Sequence, residues 1–310
     1  MKLVYSPDYQ VDIGPPVFPT EKYRLVRVEL LDRGIARADR LIEPEAASWA
    51  DLALVHTETY LRNVRLGELS AEEIVQQEIP WSASIVQGFR MMTGGTLLAA
   101  RLAVHDRLAA NIGGGFHHAF SNHGEGFCLF NDVAVAIRAL QRAAVIARAA
   151  VVDCDVHHGN GTAMIFGTSS DVFTFSMHQQ HNYPLFKPRS TLDIGLQDDT
   201  ADHEYLAELD EALPTVMAHR PDLLFYLAGA DPYKEDQLGG LALTKKGLRE
   251  RDRMVLQAGH SAGVPIVVLL AGGYASHLED TVAIHVATIE EATRVWKLPA
   301  PDLQPPTPNP

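Results

Sequence analysis

Cysteine is scarce in this chain of 310 residues, with only Cys128 and Cys154 present. Two cysteines cannot supply the disulfide framework that stabilises small secreted domains. The cysteine count therefore favours a reducing compartment, and we expect a cytoplasmic location.

Long apolar runs and an excess of basic residues are also missing. No run approaches the roughly 20 apolar residues of a membrane span, and Met1 to Tyr5 predict a first strand instead of a signal peptide. Lysine and arginine number 26 against 39 acids, giving a formal net charge of −13. We therefore expect no membrane and no nucleic-acid partner, whereas a cationic substrate is compatible with this charge. The sequence leaves the oligomeric state open.

The composition is that of a globular protein able to bury a large core, with 46% hydrophobic and 21% charged residues. In the last two thirds of the chain, short apolar runs alternate with longer amphipathic stretches. That alternation predicts βαβ units and an α/β fold with a mostly parallel sheet. The predicted strands are 110–112, 149–153, 172–176, 223–228 and 266–270. The predicted helices between and after them are 132–143, 202–219, 245–262 and 280–297.

Glycine-rich or polar segments follow four of these strands. Gly-Gly-Gly-Phe-His-His (113–118) follows the first, and Asp155 and His157 follow the second. The last two strands are followed by Gly-Ala-Asp (229–231) and Gly-Gly-Tyr (272–274), which contain Asp231 and Tyr274. In an open parallel sheet, ligands bind at the carboxyl ends of the strands. Each segment alone is explained by a turn or a packed side chain, but their coincidence at one sheet edge favours a functional site.

Asp155, His157 and Asp231 offer two carboxylates and one imidazole. Three protein ligands with one open position are typical of a catalytic metal site. This donor set suits Zn²⁺ and is also compatible with Fe²⁺ or Co²⁺. Such a metal lowers the pKa of a bound water to roughly 7, which generates a nucleophile near neutral pH.

The neighbouring residues supply the other groups of a hydrolytic reaction. One of His117 and His118 could act as general base and then acid. Such a histidine needs a partner on its other ring nitrogen, and Asp153 and Asn160 are candidates. Tyr274 could donate a hydrogen bond to a developing oxyanion. The reaction that uses all these groups is the metal-assisted hydrolysis of an amide.

Five motifs occur in the order found in zinc-dependent histone deacetylases and their bacterial relatives, the acetylpolyamine amidohydrolases. The chain resembles this family over about residues 1–297, and its opening residues and its Leu-Gly-Gly-Leu segment (238–241) are most similar to the class IV branch. The motifs are Gly-Gly-Gly-Phe-His-His-Ala (113–119), Gly-Phe-Cys-Leu-Phe-Asn-Asp (126–132), Asp-Cys-Asp-Val-His-His-Gly-Asn-Gly (153–161), Gly-Ala-Asp (229–231) and Gly-Gly-Tyr (272–274).

The resemblance implies a single three-layer α/β/α domain of the arginase type with an eight-stranded sheet, spanning residues 1–297. Residues 298–310 hold six prolines and are predicted to form a disordered tail. The family pattern gives no role to cysteine, so we expect both thiols to be packed in the interior.

The resemblance also implies a role for each matching residue. Asp155, His157 and Asp231 would bind zinc, with Fe²⁺ as an alternative in the cell. His118 would be the general base and acid with Asn160 as its partner, His117 the electrostatic histidine paired with Asp153, and Tyr274 the residue that polarises the acyl carbonyl. A structural potassium ion would use Ser176 and Met177 with the backbone of Asp153, Asp155 and His157. The substrate-binding candidates are Gly126, Phe127, His181, Tyr183 and Gly272.

Several functions are consistent with this pattern. The first is a zinc deacylase acting on N-acyl-lysine of proteins or peptides, including long acyl groups given the class IV resemblance. The second is an acetylpolyamine deacetylase, and the third a non-catalytic acyl-lysine binding protein. Binuclear manganese ureohydrolases share the expected fold, but they carry acids where this chain has Gly159 and Tyr233. The sequence therefore argues against that class.

Overall fold

One parallel sheet organises the computed structural model, which describes residues 1–14 and 18–299. Its strands within these residues are β1 (Lys2–Val4), β2 (Leu41–Ile42), β3 (Leu108–Asn111), β4 (Ala149–Asp153), β5 (Val172–Gln179), β6 (Leu192–Leu196), β7 (Leu223–Leu227) and β8 (Ile266–Leu269). The eight strands follow the order β2-β1-β3-β8-β7-β4-β5-β6, and all neighbours pair in parallel. The predicted α/β class and the eight-stranded sheet are confirmed.

Helices cover both faces of this sheet. In the described part of the chain they are α1 (Glu21–Asp32), α2 (Trp49–Leu52), α3 (Glu58–Leu66), α4 (Ala71–Gln77), α5 (Ala83–Asp106), α6 (Asp132–Arg142), α7 (Asn160–Phe166), α8 (Asp202–Ala218), α9 (Lys245–Ser261) and α10 (Leu278–Trp296). None of them is both long enough and apolar enough to cross a membrane. Cys128 and Cys154 are unpaired and buried, as expected of packed thiols.

Strand β7 shows why the domain has three layers. Leu224 and Tyr226 pack in one core with residues of α1, α8, α9 and α10, whereas Leu223, Phe225 and Leu227 pack in a second core with α6 and the end of α5. Successive side chains of a strand point to opposite faces of the sheet. A strand that is apolar at every position therefore needs helices on both sides, as parallel sheets require.

Several elements differ from those expected from the hydrophobic pattern. The pattern gave no signal for β2, β6 or α7, and β3 starts two residues earlier than the predicted 110–112. Strand β6 lies at the sheet edge and alternates partly buried with exposed residues. Helix α7 begins directly after Gly159 and contains Gly161, and glycines of this kind favour a loop in a sequence-based reading. The predicted tail lies outside the described residues from position 300 onward.

The sheet order brings together the four strands that precede the candidate site residues. Strands β3, β8, β7 and β4 are consecutive neighbours, although in the chain they are far apart. Their last residues align in register, with Asn111 opposite Leu269, Leu269 opposite Leu227, and Leu227 opposite Asp153. The four segments that leave these strands therefore emerge side by side from the centre of the sheet.

A fully buried arginine of α9 ties two of these segments together. The Arg251 guanidinium donates to the carbonyl oxygens of Gly229 (2.6 Å) and Cys154 (3.3 Å), which follow β7 and β4. Its charge is balanced by Asp252 at 2.8 Å, and both side chains have no solvent exposure. Asp252 also accepts hydrogen bonds from Tyr226 and Thr288. Removing one partner of such a pair leaves an uncompensated buried charge.

We therefore expect Arg251→Ala to lower the free energy of unfolding by about 3–5 kcal/mol, measured by urea denaturation. The matched control is Arg253→Ala on the same helix, which removes an exposed pair with Glu250 and should cost less than about 1 kcal/mol. Equal losses in the two variants would contradict the role given to the buried guanidinium.

Candidate active site

Two carboxylates and one imidazole meet at the carboxyl edge of the sheet. Asp155 and His157 follow β4, Asp231 follows β7, and one ligand atom of each lies within 4.8 Å of the others. His157 Nδ1 is 3.0 Å from Asp155 Oδ1 and 3.6 Å from Asp231 Oδ2. All three side chains are buried, and among the described residues Asp231 Oδ2 has no hydrogen-bond partner. Because a buried carboxylate oxygen is costly to leave unpaired, this donor set fits a divalent cation.

Backbone amides hold the two acids in place. The N–H of Gly272 donates to Asp155 Oδ2, and the N–H of Val156 donates to Asp231 Oδ1, both at 2.8 Å. A Cβ atom at Gly272 would lie 1.9 Å from Asp231 Oδ2 and 2.5 Å from Asp155 Oδ2. Only glycine can occupy this position without displacing the acids. The sequence predicts that Gly272 contacts substrate. In the structure its backbone lies directly against the two carboxylates.

The protonation behaviour of the cluster reflects its concentrated negative charge. Burial, together with the nearby Asp155 carboxylate, raises the pKa of Asp231 to about 7. Burial acts to lower the pKa of His157, but its hydrogen bond to Asp155 and the nearby carboxylate of Asp231 raise that pKa to about 10. Both shifts show that this position favours positive charge, which a bound cation would supply.

His117 and His118 lie beside the cluster with different partners. His117 Nδ1 is 2.7 Å from Asp153 Oδ2, and His118 Nδ1 is 2.7 Å from Asn160 Oδ1. Burial acts to lower the pKa of His117, but the carboxylates of Asp153 and Asp155 raise it to about 9. Burial and the neighbouring His117 and His157 hold the pKa of His118 well below its usual value. One histidine thus favours the imidazolium form and the other the neutral form that accepts a proton.

Tyr274 completes this arrangement from the segment after β8. Its backbone N–H donates to Asp236 Oδ2 at 2.7 Å, and its ring centroid is 6.2 Å from that of His157. Burial and the carboxylates of Asp155 and Asp231 raise the pKa of the phenol well above its usual value. The hydroxyl therefore keeps its proton and can act as a hydrogen-bond donor.

A cleft leads from the surface to these groups. Phe127 is held at a φ of 63° and stacks on Phe18 with centroids 5.8 Å apart, and Tyr183 packs edge-on against His118 at 5.1 Å. The cleft is lined by Glu78, His118, Gly126, Phe127, His157, Asn182, Tyr183, Leu238 and Tyr274. A Cβ atom at Gly126 would approach His118 to 2.7 Å, so this position also requires glycine. Phe127 and Tyr183 form two aromatic walls of the cleft, and their contact with substrate stays a prediction.

His181 does not belong to this lining. It is exposed at the surface, whereas its neighbours Asn182 and Tyr183 face the cleft. The expectation that His181 contacts substrate is therefore not supported by its position. The chain turns directly after β5, at residues 180 and 181, and leaves the His181 side chain exposed.

Two further expected features lie next to β4. Ser176 pairs with Asp153 in the β4–β5 register and is followed by the buried Met177, so both are adjacent to the segment proposed to hold potassium. The potassium ion itself stays a prediction. His178 is buried and forms a second His/Asp group with His158 and Asp193.

The sequence pattern did not reveal Lys22, Glu78 or Glu125. Lys22 is fully buried on α1, and its Nζ donates to the carbonyl of Ala271 at 2.9 Å. Burial lowers the pKa of this amine to about 8, while the carboxylates of Asp231 and Asp155 oppose the shift. Nothing local in the sequence distinguishes these residues from other lysines and glutamates. Only the fold places them near the site.

Comparisons with known proteins agree with this geometry. Residues 17–289 match the profile of the histone deacetylase domain. The chain is 30% identical over 310 residues to Histone deacetylase 2 of Arabidopsis thaliana, an alignment that covers 95% of this chain and 79% of that one. It is 32% identical over 298 residues to the acetoin utilization protein AcuC of Bacillus subtilis, covering 87% and 76% of the two chains.

Solved structures have the same fold. The crystal structure of the HDA15 HD domain superposes with a TM-score of 0.79 at 23% identity, covering 94% of this chain and 90% of that one. An HDAC homolog complexed with SAHA superposes with a TM-score of 0.80 at 23% identity, covering 94% and 84%. The matched domain profile spans most of the chain and includes the ends of β3, β4, β7 and β8, which carry the site. This protein is a member of the histone deacetylase family.

Proposed function

We propose that this protein is a zinc-dependent amidohydrolase that removes an acyl group, acetyl or longer, from N-acyl-lysine of proteins or peptides. The observation that carries the proposal is the buried Asp155–His157–Asp231 cluster, in which Asp231 Oδ2 has no hydrogen-bond partner within the described residues. Family membership supports an acylated substrate, and the aromatic cleft supports an extended side chain of the lysine type.

Bound zinc would polarise the amide carbonyl and lower the pKa of the attacking water. The residues of the chain would do the remaining work. Asp155 and Asp231 would ligate through carboxylate oxygens, and His157 through Nδ1, the nitrogen that faces them. Tyr274 would donate its phenolic proton in a hydrogen bond to the acyl oxygen as negative charge develops there.

His118 would move the proton between water and the leaving amine. Its neutral ring would accept the proton of the attacking water as the oxygen–carbon bond forms, and would then donate that proton to the amine nitrogen as the carbon–nitrogen bond breaks. His117, paired with Asp153, would contribute fixed positive charge beside the developing oxyanion. The products are a free amine and a carboxylic acid.

Phe127 and Tyr183 give the cleft two flat apolar walls. We propose that the methylene chain of the acylated lysine lies between them, with the amide carbonyl directed to Tyr274 and His157. Burial of those methylenes favours binding by about 0.8 kcal/mol for each CH₂ group.

The metal site can be tested without measuring activity. Protein treated with a chelator and then titrated with zinc should bind one equivalent per chain by calorimetry and elemental analysis. Asp231→Asn should weaken that binding by more than about 100-fold. Removing a residue that only hydrogen-bonds to a metal ligand typically costs about 10- to 100-fold in affinity, and removing a ligand itself has a larger effect.

The matched control for this test is Asp193→Asn in the second His/Asp group, which should leave the stoichiometry and affinity unchanged. Loss of zinc from the Asp193 variant, or retention of full affinity by the Asp231 variant, would contradict the assignment of the ligands.

Tyr274→Phe should reduce kcat on acetyl-, octanoyl- or myristoyl-lysine peptides by about 100- to 1,000-fold, since it removes one donor to the developing oxyanion. The measurement is steady-state hydrolysis by zinc-loaded enzyme. Tyr233→Phe, which lies two residues after Asp231 and does not line the cleft, should change kcat by less than about twofold.

Turnover by the Tyr274 variant at the wild-type rate would contradict the role of the phenol. If zinc-loaded wild-type protein binds acyl-lysine peptides but hydrolyses none of them, the protein is a non-catalytic acyl-lysine binder.

A second candidate, an acetylpolyamine deacetylase, is favoured by the carboxylate of Glu78 at the cleft. The free amine of acetylputrescine could pair with this group. Glu78→Gln should then raise KM for acetylputrescine by about 2- to 5-fold, the size of an exposed ion pair, and leave KM for the uncharged N-acetylbutylamine unchanged.

The pH dependence gives an independent check on Glu78. Partial burial raises the pKa of this carboxyl above its usual value, so its negative charge is lost as the pH falls through that raised pKa. KM for acetylputrescine should therefore rise at low pH in wild type and not in Glu78→Gln. Equal effects on the charged and uncharged substrates would count against the polyamine function.

A further inference from the structure

A chain of hydrogen bonds extends behind His118 for two residues beyond the ring. His118 Nδ1 lies 2.7 Å from Asn160 Oδ1, and Asn160 Nδ2 donates to Glu125 Oε1 at 2.6 Å. Asn160 is fully buried, and the Glu125 side chain is 14% exposed. The proposed general base is thus connected through a neutral amide to a carboxylate from a different loop.

The two outer partners of Asn160 fix which way its amide points. Gly161 donates its backbone N–H to Asn160 Oδ1 at 3.0 Å, and a backbone N–H can only donate. An ionised carboxylate can only accept, so Glu125 requires the NH₂ group of Asn160 on its side. If the amide were reversed, both of these contacts would place like groups together. The oxygen of Asn160 therefore faces His118.

This orientation determines the tautomer of His118. Because the oxygen of Asn160 is an acceptor, Nδ1 of His118 must carry the proton that lies between them. A neutral ring with a proton on Nδ1 has its lone pair on Nε2. Nε2 lies at the site, 3.1 Å from His117 Nε2. The nitrogen that must accept the proton of the attacking water is thereby left unprotonated.

Glu125 is itself well held. Its Oε2 accepts from Gln76 Nε2 at 3.1 Å and lies 3.4 Å from His123 Nε2, and its backbone N–H donates to the carbonyl of Cys128. Burial acts to raise the pKa of Glu125, but hydrogen bonds from His123, Asn160 and Gln76 hold it below its usual value. The carboxylate is therefore ionised at neutral pH and cannot donate to Asn160.

We propose that Glu125 is a positioning residue for the deacylation reaction, locking the amide of Asn160 so that His118 keeps its proton on Nδ1 and its lone pair on Nε2. This inference rests on the proposed function. Glu125 is not itself one of the residues that line the cleft or form the ligand cluster, and its connection to His118 runs through Asn160. Its carboxylate also interacts with the phenol of Tyr183 in the cleft wall. The Glu125 carboxylate places negative charge on the Nδ1 side of His118, separated from the ring by the amide of Asn160. An aspartate at position 160 would place that charge in direct contact with the ring.

The first test removes the carboxylate. Glu125→Ala should lower kcat by about 10- to 100-fold, the range for residues that orient an active-site ligand or base, and leave KM and zinc affinity within twofold of wild type. The decrease in kcat should be smaller for Glu125→Gln, because the glutamine amide oxygen can still accept a hydrogen bond from Asn160. The control is Glu72→Gln, an exposed glutamate of α4, which should match wild type.

The second test exchanges the two groups. Asn160→Asp alone should lower kcat, because it sets two carboxylates about as close as the present 2.6 Å contact. The double variant Glu125→Gln/Asn160→Asp restores a donor facing an acceptor, now with the acceptor next to His118. Its kcat should exceed the product of the two single effects by at least about tenfold. A purely structural role for Glu125 predicts no such recovery.

The third measurement does not depend on turnover. Two-bond ¹H–¹⁵N spectra of zinc-loaded, histidine-labelled protein report which ring nitrogen of His118 carries the proton. We expect the Nδ1–H form in wild type and in the double variant, and a mixture of tautomers in Glu125→Ala.

The outcomes separate this inference from the proposed function. The inference is overturned if Glu125→Ala leaves kcat unchanged or changes KM instead of kcat. It is also overturned if the double variant is no faster than the product of its single effects, or if the tautomer of His118 is the same with and without Glu125. If wild type hydrolyses no acylated substrate, the proposed function fails, and the spectra still decide the role of Glu125.

Discussion

The site depends on the burial of two aspartates next to each other at the centre of the sheet edge. Asp155 and Asp231 are almost without solvent exposure and lie near a common point. Like charges in a medium of low polarity repel strongly unless a cation or a proton intervenes. The backbone N–H groups of Gly272 and Val156 stabilise one oxygen of each acid. The other oxygen of Asp231 has no hydrogen-bond partner among the described residues and is available to a cation.

Buried cationic side chains support the segments that carry these acids. Lys22 and Arg251 are both fully buried, and each donates to carbonyl oxygens of the segments that carry the site residues. His117 gains positive character from Asp153. Lys22 and His117 also act electrostatically on the site carboxylates, whereas the charge of Arg251 is balanced by Asp252. Replacing such a group is expected to disturb stability and chemistry together.

The sequence was most informative where chemistry and local structure coincide. The segment from Ala149 to Asn160 predicted β4 with the bounds that the structure shows, together with the residues that form the ligand cluster. Apolar β-branched residues report burial, and alternating acids and imidazoles are costly there without a ligand. Strand β6 and helix α7 escaped prediction because one is a partly exposed edge strand and the other begins among glycines. His181 was expected to contact substrate from the family resemblance, and its exposure follows from the turn after β5.

By itself, the sequence determined the α/β class, the family and the set of side chains capable of the chemistry, because each of these is encoded in short stretches of chain. Only the tertiary structure decided that β8 lies between β3 and β7, which brings Tyr274 beside His157. It also decided the contact of Glu125 with Asn160, 35 residues apart in the chain. Strand order and contacts of this kind depend on how whole faces of helices and strands pack against each other. A local pattern of residues does not indicate how these faces pack over the whole chain.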